Sequence, residues 1–438
     1  MGVRLASGNV IAFGGRNSSW IPQYDVHTFS PTNNTWTYLT QKSSPQYWHT
    51  LTKLADGTAL SLGGKTNAVA AITTASKYDP ATNAWTSRAV MPAGRFAHTA
   101  TLLNDGTVLV TGGNNTAATP QSTVWTYNPT TNAWTVRASM STVRAYHQAT
   151  KLQDGRILVT GGFNAAATSL SSAEIYDPTT FTWTAVTSMN DLRANHTATL
   201  LNNGKVLVAG GENSANTATG TSELYDVVGN TWTVTGSMAQ QRKYHQAFLL
   251  PDGRVWAGLG YTNAGNTVTT ATNEIYDPNA GTWSTQTAAS TGRAFFAAAL
   301  LGDGRITVLG GLSNGSTRLA SGEIYDPILD SWNLQTNAYP IGRSYPAAVS
   351  LNDGRVLASH GQYNGVPETD HLFVNIYPTQ TFTASGGTAP YTYSLLSGVG
   401  TFYPALQKYI PLALGSAIVR VVDSAASPTQ DDANLSVQ

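Results

Sequence analysis

A chain of 438 residues is long enough for one large domain and a smaller one, and only 11% of it is charged. Its 24 basic and 24 acidic side chains cancel, which leaves no basic stripe of the kind that grips nucleic acid. Cysteine is absent, excluding disulfides and thiol chemistry, and no apolar run approaches the roughly 18 residues of a membrane span.

In chain order, the first 39 residues already contain a unit that the following three hundred repeat. An apolar run ends in a double glycine at Gly14-Gly15, Gly63-Gly64, Gly112-Gly113, Gly161-Gly162, Gly210-Gly211 and Gly310-Gly311, with a degenerate copy at Gly258 to Gly260. An aromatic follows at Phe29, Tyr78, Tyr127, Tyr176, Tyr225, Tyr276 and Tyr325. A tryptophan closes each unit at Trp36, Trp85, Trp134, Trp183, Trp232, Trp283 and Trp332. The tryptophans are 49 residues apart, save one interval of 51 that absorbs a longer loop near Thr267. Short Val/Thr/Tyr/Trp runs with Gly, Asn or Pro at each corner predict a four-stranded antiparallel meander per unit. One such sheet cannot bury both faces, and repetition solves that.

A period near 50 with these landmarks resembles the kelch family, whose units are blades of a β-propeller. The resemblance implies an all-β fold: a kelch propeller over residues 1–365, with seven blades expected and eight the alternative. The segment RSYPAAVSLNDGRVLASHG (343–361) supplies two more strands. They either close a seven-bladed ring beside the N-terminal blade or begin an eighth blade finished by HLFVNIYP. Residues 372–438, with TFTASGGTAPYTYSLLSGVGTF and GSAIVRVVDSAASP, resemble bacterial immunoglobulin-like modules and imply a small β-sandwich. Aligned on the repeat, Met1 to Leu5 match Thr99 to Leu103, so the chain is expected to be a piece of a longer polypeptide whose leader has been cut away. MGVRLASG has neither the basic nor the apolar region of a signal peptide.

Most repeated polar residues read as scaffold. Asp56, Asp105, Asp154, Asp252, Asp303 and Asp353 precede glycine in the first turn and suit a type I′ hairpin. Asp79, Asp177, Asp226, Asp277 and Asp326 stand at the third corner, and Glu174, Glu223, Glu274 and Glu323 two residues before the third-strand tyrosine. The Arg-x-x-His series is the candidate site: Arg95/His98, Arg144/His147, Arg193/His196 and Arg242/His245, decaying to Arg293/Phe296 and Arg343/Pro346. It precedes the innermost strand of each blade and should ring one mouth of the central channel. These side chains either satisfy neighbouring loop carbonyls or form a cationic rim that receives a ligand. The loops between the second and third strands open on the same face. They are Asn/Thr-rich and carry Trp20, Phe163 and Tyr261, which suits stacking on sugars or plain solvated loops.

The resemblance extends to galactose-oxidase-like copper enzymes, in which a propeller is joined to an immunoglobulin-like domain. Those enzymes use a cysteine-linked tyrosine, absent here, and a copper histidine after Arg-x-Tyr, where this chain has Pro346 after Arg343-Ser344-Tyr345. No cofactor or metal is expected, and no paired carboxylates or Gly-x-Ser-x-Gly nucleophile appear. The expected role is a non-enzymatic extracellular or cell-surface module that binds a glycan or protein receptor, as in adhesion or a fibre tip. No nucleic acid and no membrane insertion are expected, and a trimer is compatible. The alternatives are a structural domain of a large envelope protein and an intracellular adaptor.

Overall fold

The computed structural model describes residues 48–335, apart from short breaks at 66–70, 80–81, 83, 302 and 315–316; outside that span it describes only separate strands. Seven four-stranded antiparallel meanders follow one another. The third is typical: Thr99–Leu102, Val108–Thr111, Val124–Asn128 and Ala133–Arg137, paired in sequence order. The second strands are buried along their whole length, as VLVT, ILVT and VLVA suggest, because neighbouring sheets cover both faces. The fourth strands are largely exposed.

First strands of successive sheets lie side by side: Gly2–Arg4 by Thr50–Lys53, Thr50–Lys53 by Thr99–Leu102, and onward to Gln246–Leu249. Ala347–Ser350 lies between Ala297–Leu300 and Gly2–Arg4, so the ring closes. That strand belongs to an eighth sheet, Ala347–Ser350, Val356–Ser359 and Leu372–Val374. The expected seven blades are therefore corrected to eight among the described residues. The N-terminal sheet already owns four strands between Gly2 and Leu39, while Leu372–Val374 supplies the third strand of the last sheet. Beyond it the described strands form two three-stranded antiparallel sheets, one built on Gly415–Val422 and one on Lys408–Pro411.

Sheets adhere through their faces. Leu54, Leu60, Leu62, Ala75 and Met91 meet Val108, Val110, Trp125 and Tyr127 of the next sheet in one apolar cluster. Within a sheet the repeated tyrosine and tryptophan are register partners, Tyr127 against Trp134 at 4.9 Å between rings. The indole then reaches back to the previous sheet: Trp134, Trp183, Trp232 and Trp332 donate to the carbonyls of Ala89, Ala138, Thr187 and Thr287 at 2.7–2.8 Å. Trp283, in the lengthened unit, donates instead to Ser222 Oγ at 3.1 Å.

The first turn is not type I′. Gly106 N–H donates to Leu103 O and Leu103 N–H to Thr107 O, with Gly106 at φ +81° and Asp105 not left-handed. This is a three-residue loop, a type I turn closed by a left-handed glycine. Asp105 Oδ1 accepts from the Thr107 amide at 2.9 Å, and that is what the repeated aspartate does. The double glycine is needed for a different reason. A Cβ on Gly161 (φ +58°) would lie 2.3 Å from Arg193 O and 2.8 Å from His196 Cε1. Gly106→Ala, with open space around it, is expected to cost about 1–2 kcal/mol of backbone strain. Gly161→Ala adds a backbone clash, so its urea midpoint should fall well below that of Gly106→Ala.

Candidate functional site

Five of the described loops that enter an innermost strand are tied down by an arginine. Arg144 Nη1 donates to Gly161 O at 2.7 Å and Ser172 O at 3.1 Å, and Nη2 reaches Glu174 Oε1 at 2.9 Å. The same pair recurs as Arg193–Glu223 at 3.0 Å, Arg242–Glu274 at 2.8 Å and Arg293–Glu323 at 2.7 Å. Each glutamate also caps the turn ahead of the arginine, Glu174 accepting from the amides of Ser141 and Thr142. These four arginines are fully buried. Arg95 lacks a glutamate partner because Trp125 occupies that register. Its guanidinium sits 4.6 Å from the indole ring centre, and burial lowers its pKa to about 10.

The histidines are buried as well. Their Nε2 atoms meet threonines of neighbouring innermost strands, His98 on Thr50 at 3.0 Å, His147 on Thr99 at 3.0 Å and His245 on Thr197 at 3.0 Å, while His196 meets Thr160 at 2.9 Å. Burial, with the adjacent arginine charge second, drops His98 and His196 to about 3 and pushes His147 and His245 well below the ordinary range. A ligand rim made of these charges is thereby corrected: Arg95, Arg144, Arg193, Arg242 and Arg293 turn into the sheets, and the histidines stand neutral between them. Trp20 and Arg343 lie outside the described residues.

What the loops do present is the residue between the pair. Trp48, Ala97, Tyr146, Asn195, Tyr244 and Phe295 all take left-handed φ values of 49–56°. Four backbone hydrogen bonds link them from sheet to sheet: Ala97 N–H to Trp48 O, Tyr146 to Ala97, Asn195 to Tyr146 and Tyr244 to Asn195, at 3.2–3.4 Å. This belt lies at the end of the innermost strands, at the channel mouth. Its aromatics cluster on either side of Asn195. Trp48 stacks on Phe96 at 5.7 Å and meets Tyr146 edge-on at 5.8 Å. Tyr244 lies 4.9 Å from Phe295 and 6.4 Å from Tyr261. Of the loop aromatics read from the sequence, half-buried Phe163 joins the first cluster 6.1 Å from Tyr146, whereas Tyr261 is 1% exposed and packs beneath the second. The loop asparagines Asn115, Asn164 and Asn213 spend their Oδ1 on two amides of their own loops each. The belt residue is the variable position inside the repeated Arg and His frame, and repetition alone does not single it out. The signal was there: Trp, Tyr, Tyr and Phe recur at the second x.

A kelch-repeats domain model, of the KLHDC2/KLHL20/DRC7 type, matches residues 2–194, and a kelch motif model matches residues 193–239. No curated protein matches. Among solved structures, a fungal alcohol oxidase of the AA5 family in complex with copper superposes with a TM-score of 0.58. It is 16% identical, over 90% of this chain and 97% of that one. YjhT superposes with a TM-score of 0.50 at 18% identity, over 68% of this chain and 99% of that one.

Glu174→Gln strands the Arg144 guanidinium without its counter-charge and is expected to cost about 3–5 kcal/mol in urea unfolding. Replacing both by Met should cost much less. The buried histidines predict acid sensitivity. Their folded pKa lies below the unfolded value of about 6.5, so the unfolded chain binds the extra proton. Stability is full above pH 6.5 and erodes as pH falls toward 3. At pH 5 His98 and His196 should each have lost about 2 kcal/mol. His196→Gln should remove about one proton from the slope of unfolding free energy against pH.

Proposed function

The chain belongs to the kelch-repeat β-propeller proteins, and on that premise we propose that it is a non-enzymatic binding module, secreted or displayed at a cell surface, whose channel mouth receives a glycan. The carrying observation is the belt. A left-handed φ is a position where Gly or Asn sits most cheaply, and a bulky residue there costs on the order of 1 kcal/mol or more. Ala97 and Asn195 occupy it too, so the backbone does not ask for the rings of Trp48, Tyr146, Tyr244 and Phe295. Their rings, held by the hydrogen-bonded belt, form a pre-ordered apolar surface at the mouth, and such surfaces stack on sugar faces at little entropic cost.

The copper alcohol oxidase shares the fold, at an identity that carries nothing more. Among the described residues no three His, Asp or Glu side chains group as metal donors, and the histidines are engaged by threonines on separate sheets.

A glycan-array screen of the wild type beside a Tyr146→Ala, Tyr244→Ala double variant tests the proposal. The expected result is a sugar signal that weakens about tenfold or more in the variant at an unchanged melting temperature. A blank array overturns the glycan reading and favours a protein receptor or an assembly role.

A further inference from the structure

Among the described residues, a buried ion pair holds the side chain of belt residue Asn195. Its Nδ2 donates to Glu212 Oε1 at 2.5 Å, and Glu212 Oε2 accepts from Lys243 Nζ at 2.5 Å. Lys243 also donates to Asn216 O at 2.8 Å and to Asn216 Oδ1. Glu212 and Lys243 are 1% and 0% exposed. At the register of Glu212 the neighbouring loops carry Asn114, Phe163, Tyr261 and Leu312, so the loop geometry does not require an acid there. A buried pair of this kind brings little net stability over apolar packing. What it does bring is orientation. A carboxylate only accepts, so the amide must turn its NH2 toward Glu212 and its oxygen the opposite way. Asn195 Oδ1 is neither a buried orphan nor engaged by another described residue.

We infer that Asn195 is the specificity-determining hydrogen-bond acceptor of the mouth, taking a hydroxyl of a neutral pyranose between the two aromatic clusters, with Glu212 and Lys243 as its positioning residues. The inference rests on the glycan reading and names its ligand class. Tyr146 and Tyr244 flank Asn195 in the belt, so a ring stacked on either side brings a hydroxyl edge to the amide. Glu212 and Lys243 neutralise each other, so the amide faces no net charge and suits neutral sugars over uronic or sialic acids.

The test uses the full chain and an array of neutral and acidic glycans, followed by titration of the hit and its monodeoxy analogues by calorimetry. Loss of one hydroxyl should weaken wild-type binding about tenfold or more, and Asn195→Ala should weaken the parent sugar equally while binding that analogue as well as wild type does. A Glu212→Leu, Lys243→Met variant, which leaves no orphan charge, should keep its melting temperature and lose about three- to tenfold in affinity as the amide becomes free to flip. Unchanged affinity in that variant overturns the positioning role. Sugar binding that survives in Asn195→Ala but is lost in Tyr146→Ala overturns the inference and leaves the glycan site standing. Preference for acidic glycans overturns the neutral class, and a blank array overturns both readings together.

Discussion

The buried arginine–glutamate pair is the interaction on which the rest of the molecule depends. In four successive units it joins the loop between two sheets to the third strand of the sheet being entered. A guanidinium out of water is costly, and each is made tolerable by carbonyls of its own sheet and a carboxylate that also caps the preceding turn. The pair therefore specifies geometry more than it adds stability. Two residues after each of these arginines the backbone is left-handed, as it also is at Trp48 and Ala97, whose loops lack the pair.

The double glycine and the histidine complete the same joint. Gly112 and Gly113 lie against Arg144 O and His98 Cβ so closely that no side chain fits. The histidine fills the space beyond and reaches a threonine of a neighbouring sheet. The joint is tight, polar inside and uncharged apart from the arginine pair. Its histidines make the propeller a fold for neutral pH, because a proton on any of them would be a second buried cation beside an arginine.

On this repeated frame the units differ where the frame is indifferent. The side chain at the left-handed position is free to vary, and it has become aromatic in two groups with Asn195 between them. Lys243 and Glu212 join adjacent loops at that one place. Symmetry supplies the scaffold, and departures from symmetry supply a surface that can discriminate.

The sequence by itself determined the all-β class, the meander of each unit, the period, and the roles of glycine, tyrosine and tryptophan. These follow from local chemistry, since turn residues, β-branched runs and repeated aromatics act within one sheet or between neighbours. What only the tertiary structure decided was closure and accessibility. The eighth sheet depends on Leu372–Val374 pairing with Val356–Ser359 and on the N-terminal sheet already owning four strands, and both are facts of assembly. Whether Arg144 faces a ligand or a carboxylate cannot be read from its place in a motif, because the same charge serves either end. Packing of one sheet on the next buried it, and so moved the candidate site from the charged residues of the repeat to the aromatics and the single asparagine between them.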